Sequence, residues 1–463
     1  MLLKKPDDTS KILSLPNRLL SDHMVLQQGQ PNNIWGLADP EQPITISVSW
    51  QNESHEIMAN SAGHWSIALL PPAPGGPYTI KLNQGNKVIQ IQDILCGEVW
   101  LASGQSNMEM PLLGGDFDFP IKDAKTHIDE AHFPQIRMFM VEKTVADHPC
   151  EEVNGSWRVA SPVTVAAFSA VGYFFAREIY ETLDVPVGII NASWSATAIE
   201  SWSDPKTNQR LGIAHAYDAP DDLEPASPSS LYNGMIHPLH KYPIKGILWY
   251  QGESNIAWPK AYRRQFPALI SDWRNLWGLG EIPFYFVQLA PFEYDEPEQM
   301  SHFREVQSQT FDEISNTGMV VTTDLGQLED IHPVDKAPVG KRLAYWALAN
   351  TYLRNDIPYT GPLVKKAERQ GSHIRVYFEA GSLGGGLVFK GERGLEFELA
   401  GADEKWFQAQ AQIDGQNLIV ETNEVPVPIA IRFSWADNAQ PNLFNKSGLP
   451  AIPFRVTLEK RLR

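Results

Sequence analysis

Between Asp93 and Ile357 the chain alternates short, nearly continuous apolar runs with longer segments of helical periodicity, and this alternation limits the fold more than any other feature. The runs are Val99-Trp100-Leu101, Val187-Gly188-Ile189-Ile190, Gly246-Ile247-Leu248-Trp249-Tyr250, Phe284-Tyr285-Phe286-Val287 and Met319-Val320-Val321. Each is too short for a helix and lacks a polar side, as expected of a strand covered on both faces. Between them, Val171, Phe174, Phe175, Ile179 and Leu183 recur at helical spacing, and similar patterns run over 262–276 and 339–353. Strands separated by helices predict an α/β fold with a parallel sheet covered by helices. In such sheets sites lie beyond the carboxyl ends of the strands. That places Ser106, residues 191–197 and Gln251-Gly252-Glu253 at one rim.

The flanks have a different texture. Ile44-Thr45-Ile46-Ser47-Val48, Trp65-Ser66-Ile67-Ala68-Leu69 and Tyr78-Thr79-Ile80-Lys81-Leu82 alternate at period two, and the proline-rich stretch 71–77 rules out a helix. Beyond Pro358, Ile374-Arg375-Val376-Tyr377-Phe378 and Ile429-Ala430-Ile431-Arg432-Phe433 alternate again. The expected organisation is a β-sandwich-like region over 1–92, an α/β domain over 93–357 and a β-rich region over 358–463.

At 463 residues the chain is too long for one core. A formal net charge of −17 without Lys/Arg stripes argues against nucleic acid, and its sign suits an anionic membrane surface poorly. No apolar run approaches a membrane span. Cys96 and Cys150 do not amount to a disulfide framework. The first twelve residues lack the apolar core of a signal peptide, so the sequence as it stands is expected to be cytoplasmic, or exported only if a leader has been trimmed.

The candidate chemistry gathers at the predicted rim. In Leu101-Ala102-Ser103-Gly104-Gln105-Ser106-Asn107 a strand stops at small residues, and Gly104 permits a turn that would lift the Ser106 hydroxyl clear of the sheet. A serine nucleophile needs a base, a group orienting that base, and donors for an oxyanion. His332, in Glu329-Asp330-Ile331-His332-Pro333, is the candidate base, with His237 the rival. Gln251 offers a side-chain amide, and the backbone at Ser106, Ser195 and Ala196 offers N–H donors. Glu253 paired with Glu109 or Glu200 would instead suggest a glycosidase. His and Cys nowhere take zinc-ligand spacing.

Taken in order, these words resemble the sialate O-acetylesterase family of SGNH-type serine hydrolases. Gly104-Gln105-Ser106-Asn107-Met108 is similar to its nucleophile block, Trp249-Tyr250-Gln251-Gly252-Glu253-Ser254-Asn255 to its amide block, and Asp330-Ile331-His332-Pro333 to its histidine block. Leu19-Leu20-Ser21-Asp22-His23-Met24-Val25-Leu26-Gln27 resembles the family's opening, and Gly448-Leu449-Pro450-Ala451-Ile452-Pro453-Phe454-Arg455 its ending. The resemblance implies an SGNH-type central domain that deacetylates sugar hydroxyls without metal or cofactor. Ser106 would be the nucleophile and His332 the base. Gln105, Asn107, Asn233 and Glu253 are expected on the substrate side. The sequence departs from the family twice. Trp194-Ser195-Ala196-Thr197 stands where Trp-Gly-Gly-Thr is common, and the acid three residues before the histidine is Glu329, so Asp330 and Glu329 both remain candidate orienters. The substrate expected is an acetylated carbohydrate, sialic acid or a hemicellulose or algal polysaccharide, with a catalytically idle carbohydrate-binding protein as the alternative.

Overall fold

The computed structural model describes residues 13–458 apart from 116, 118–119, 214–222, 295, 327, 329 and 392–395. Numbering only the strands of the central sheet, these are β1 (Lys87–Gly104), β2 (Phe133–Val141), β3 (Gly155–Ala160), β4 (Val187–Ser193), β5 (Gly246–Tyr250), β6 (Phe284–Val287) and β7 (Thr317–Val320). Their order across the sheet is β3-β2-β4-β1-β5-β6-β7. All neighbours are parallel except β3, which pairs antiparallel with β2 at one edge. The protein is mixed α/β.

Side-chain alternation explains how helices cover both faces. Trp249 of β5 lies opposite Ser103 of β1, so Trp100, three residues earlier, points to the other face. On that face Trp100 meets Phe175 of α2 (Ala170–Leu183) and stacks on Tyr285, which lies against Trp346 of α5 (Lys336–Trp346). On the opposite face Trp249 meets Phe266 and Trp273 of α3 (Pro259–Trp277), and Tyr262 of α3 packs on Phe303 of α4 (Gln299–Glu313). A short α1 (Ser106–Glu109) follows β1 directly.

Strand β1 links two regions. Its first half pairs antiparallel with Gly75–Gln84, part of the N-terminal β region, and its second half, Glu98–Gly104, is the middle strand of the central sheet. The expected boundary between residues 92 and 93 therefore falls inside one strand. A second N-terminal sheet is formed by Leu13–Ser14, Asn32–Ala38 and His64–Leu69. The C-terminal region is a seven-stranded antiparallel sheet with its own core around Phe397, Leu399, Ile431 and Phe433. It is fastened to α4 by ion pairs of Arg432 with Glu298, just ahead of the helix, and Arg455 with Glu305. Cys96 and Cys150 are both free thiols. No helix among the described residues is long and apolar enough to cross a membrane.

Candidate active site

The end of β1 is shaped by contact with β5. Gly104 has φ +138°, and a Cβ there would lie 2.1 Å from the Tyr250 carbonyl oxygen, so only glycine fits. The next N–H, of Gln105, donates to that same carbonyl at 3.0 Å. The chain then turns at once into α1, with Ser106 its first residue. The first N–H groups of a helix have no intrahelical acceptor, and the Ser106 N–H is one of them.

The histidine arrives from the loop between β7 and α5. Pro333 disfavours the helical conformation for His332, delaying the helix until Lys336. Lys122 ties the same loop down, its N–H donating to the Val334 carbonyl and its ammonium pairing with Asp335. His332 Nε2 lies 2.9 Å from Ser106 Oγ, and its Nδ1 lies 3.0 Å from Asp330 Oδ1. That oxygen also accepts the backbone N–H of His332 at 2.8 Å, so one turn fixes both the backbone and the ring. The Phe117 ring stands edge-on to the imidazole, 5.2 Å between centroids. Burial, then the nearby Lys336 ammonium, lower the His332 pKa below the ordinary histidine value, against an upward pull from Asp330. Glu329 lies outside the described residues.

Behind the serine is a buried polar cluster. Asn107 Nδ2 donates to Glu253 Oε1 at 2.5 Å and to the Ile331 carbonyl at 2.9 Å, while its Oδ1 accepts Lys336 Nζ. Lys336 is fully buried, and desolvation pushes its pKa down to about 7 against the attraction of Glu253. Burial likewise raises the Glu253 pKa. Asn107 and Glu253, expected on the substrate side, thus join the serine turn to the histidine turn from within. Gln105 is also buried, its Oε1 accepting the N–H groups of Gly252 and Ser254 at 3.3 Å. Asn233 is buried as well and donates to the Ala146 carbonyl. Each of these four residues spends at least one polar atom on a neighbouring turn, while Asn233 Oδ1 and Glu253 Oε2 have no hydrogen-bond partner among the described residues.

Gln251 also differs from expectation. It is fully buried, and its Nε2 donates to the Thr197 carbonyl at 3.2 Å and to Asn255 Oδ1 at 2.7 Å. An amide has two hydrogens, and both are engaged away from Ser106. The 193–197 loop is brought beside the serine by the Trp194 N–H, which donates to the Gly104 carbonyl at 3.0 Å. Ala196 is exposed there with φ +58°, a left-handed conformation that favours glycine. The Ser195 N–H donates to Glu109 Oε2 at 2.5 Å, and the other oxygen of Glu109 is 2.5 Å from Lys143 Nζ.

A cavity of about 880 Å³ opens against this assembly, bordered by His332, Asp330, Ser193, Ser195, Glu109 and Phe117 among others. Lys143 carries no sequence motif, Glu109 stood out only as a possible glycosidase carboxylate, and Phe117 belongs to the 114–120 loop in which specificity was expected, so no single pattern in the sequence gathers the three. The carboxylates that a glycosidase would need are each engaged by a different partner. Glu253 contacts Asn107, Glu109 contacts Lys143, and Glu200 accepts from Asn255. His237 lies elsewhere, its Nδ1 against the Cys150 carbonyl. Among the described residues no group of three or more His, Cys, Asp or Glu is placed to hold a metal ion.

Three comparisons bear on this geometry. A family model described as carbohydrate esterase, sialic acid-specific acetylesterase, matches residues 96–349, more than half of the chain. The chain is 30% identical to the sialate O-acetylesterases of Homo sapiens and Pongo abelii, over 94% of its own length and 91% of theirs. It is also similar to the crystal structure of a novel carbohydrate acetylesterase from Xanthomonas citri, with 36% identity and a TM-score of 0.87, covering 95% of this chain and 98% of that one. A serine–histidine pair at the rim of a parallel sheet, matched along the chain by acetylesterases, leads to one assignment: this chain belongs to the carbohydrate esterase family of sialic acid-specific acetylesterases.

Proposed function

We propose that the chain removes acetyl groups from carbohydrate hydroxyls by covalent serine catalysis, in a central domain of SGNH type. Its family membership makes it a carboxylic ester hydrolase acting on carbohydrate O-acetyl esters. The observation that carries the reading is the line from Asp330 through His332 to Ser106, with contacts of 3.0 and 2.9 Å, Asp330 and His332 standing at the wall of an open cavity. In this reading His332 Nε2 takes the proton as Ser106 Oγ attacks the acetyl carbonyl. The imidazolium then returns that proton to the sugar oxygen as the C–O bond breaks, leaving an acetyl-serine. Water, deprotonated by the same histidine, releases acetate. Asp330 keeps Nδ1 protonated so that Nε2 is free to act as base.

The oxyanion would draw on the Ser106 N–H at the start of α1 and on the N–H groups of the 193–197 loop. The Ser195 N–H, held by Glu109 in this structure, becomes available when Glu109 turns wholly to Lys143. Gln251 supports that loop through the Thr197 carbonyl. A catalytically idle carbohydrate-binding protein would have no need of the aligned base and nucleophile.

The test is covalent trapping. An alkyl phosphonate carrying a good leaving group should add one phosphonyl group per chain, mapped by peptide mass spectrometry to Ser106, with loss of acetylesterase activity in proportion. Inactivation with the label on another residue, or acetate release unaffected by full labelling of Ser106, would refute the assignment.

A further inference from the structure

Glu200 stands at the head of a row of buried side chains that ends at the loop beside the serine. It lies in the single turn Ile199–Trp202 and is 2% exposed. Its Oε2 accepts from Asn255 Nδ2 at 3.0 Å and from Gln265 Nε2 at 3.4 Å, so a buried carboxylate is met here by neutral amides. A carboxylate only accepts, so Asn255 has to present its NH₂ to Glu200 and turn its Oδ1 the other way. That oxygen accepts the Ile199 N–H at 2.9 Å and Gln251 Nε2 at 2.7 Å. Gln251 in turn directs the second hydrogen of its NH₂ to the Thr197 carbonyl, at 3.2 Å. Its Oε1 is buried with no partner among the described residues, so the direction of this amide comes from the row and not from its oxygen. Thr197 passes the constraint on, because its hydroxyl donates to the Trp194 carbonyl at 2.7 Å.

We propose that Glu200 is a positioning residue for deacetylation, acting through Asn255 and Gln251 on the 193–197 backbone that supplies oxyanion donors; this rests on the deacetylation reading of the site. What travels along the row is direction, since the carboxylate fixes which end of each amide faces the next. A hydrogen bond to an ionised group is roughly twice as strong as one between neutral groups, and burial strengthens it further, so Glu200 decides the polarity of the row. With the Gln251 amide reversed, its oxygen would face the Thr197 carbonyl oxygen, and the two would repel. The loop would then leave its place beside Ser106. Oxyanion donors meet full negative charge only as the tetrahedral intermediate forms, so a displaced loop lowers kcat and leaves KM nearly as it was.

The experiment is a reciprocal swap across the Glu200–Asn255 contact. It is read by kcat and KM on p-nitrophenyl acetate and on mono-O-acetylated sialic acid, by the rate at which an alkyl phosphonate labels Ser106, and by melting. Asn255→Asp sets a second carboxylate against Glu200 and should lower kcat by about tenfold or more with KM within about twofold, a part of the roughly 10²–10³ carried by one oxyanion donor. Labelling of Ser106, which passes through a similar charged geometry, should slow with it. Glu200→Gln alone should be mild, because its amide oxygen can take the place of Oε2. In the double variant Glu200→Gln with Asn255→Asp, the amide donates and the carboxylate accepts, so the row regains its direction. Its kcat should return to within about threefold of wild type, a non-additive rescue expected only of groups in contact. A double variant no better in turnover than Asn255→Asp, whether or not either one folds, would overturn the inference. So would an Asn255→Asp protein that melts lower yet keeps wild-type kcat, or one in which KM changes as much as kcat. A wild type that releases acetate from neither substrate would instead overturn the deacetylation reading, so the two failures are distinct.

Discussion

Asn107 Nδ2 donates to the carbonyl oxygen of Ile331 at 2.9 Å. One of these residues follows Ser106 and the other precedes His332, so a single amide joins the turns that carry the two reacting groups. The same side chain contacts Glu253 and Lys336, which are buried with it. The 2.9 Å approach of Ser106 to His332 is thus held by a polar network lying beneath the cavity. Truncation as Asn107→Ala should cost on the order of 1–3 kcal/mol for each buried group left unmatched. Turnover should fall more than KM changes, because the turns lose their register while the cavity wall remains. Thermal melting together with a kcat and KM comparison checks this, and an unchanged melting temperature would contradict it.

The acid beside the histidine can be identified by ranking two variants. Asp330 Oδ1 holds both the His332 ring and its backbone N–H. Asp330→Asn should lower turnover by roughly 10⁴-fold, the scale for a triad aspartate whose loss allows the wrong tautomer. Glu329→Gln should be mild by comparison. Steady-state kinetics on p-nitrophenyl acetate gives the ranking, and the reverse order would transfer the role to Glu329.

Gln251 supplies a test that separates support from direct participation. Its amide bonds to Thr197 and Asn255 imply that Gln251→Ala lowers the melting temperature and loosens the 193–197 loop. Each buried acceptor left without its donor should cost about 1–3 kcal/mol. A fall of roughly 10²–10³ in turnover with melting unchanged, the signature of a lost oxyanion donor, would instead place the amide at the reacting carbonyl.

Lys336 makes a prediction about pH. Its ammonium helps to hold the His332 pKa below the ordinary histidine value, so the acid limb of the kcat/KM profile should lie below pH 6.5. Lys336→Met removes that charge, and the limb should move to higher pH. Stability carries a second sign. With a folded pKa of about 7 against an ordinary 10.5, the unfolded chain holds a proton between these values that the folded chain has released. Wild-type stability should therefore rise with pH through that window and fall as pH drops towards 7, and the rise should vanish in Lys336→Met. Urea unfolding at a series of pH values measures the slope. A limb that stays in place, or a slope unaffected by the substitution, would contradict this account of Lys336.

The parts of the fold legible in the sequence are those built from apolar periodicity. Gly246–Tyr250 is a continuous apolar run and forms β5 over the same residues. Helix α4 left no such trace, because its buried side includes Ser301, Arg304, Gln307 and Thr310. Strand β2 was hidden by Pro134 and by Arg137, whose burial depends on an ion pair with Asp93 from a distant segment. The change of texture near Asp93 is real, yet the backbone runs through it as one strand. At the site, Ser106 and His332 stood out because their chemistry and order have few other uses, whereas Asp330 stood beside Glu329 as one of two candidate orienters. The Asn107–Glu253–Lys336 cluster and the Glu109–Lys143–Ser195 contact did not, since long-range packing creates them and a buried lysine has no sequence signature. Gln251 was legible as a residue at a strand end, but the direction of its amide is set by Asn255 and Thr197.

The most direct test of the central claim is acetate release from an acetylated oligosaccharide by wild type and by Ser106→Ala at matched concentration, with circular dichroism and melting recorded on both. Removing one buried hydroxyl oxygen leaves the fold in place. The account predicts that turnover falls by roughly 10⁴-fold or more while the melting temperature is nearly unchanged, as when a triad nucleophile is lost. A folded Ser106→Ala protein that still releases acetate within about tenfold of wild type would contradict it, because ester cleavage would then proceed without the nucleophile on which every step depends.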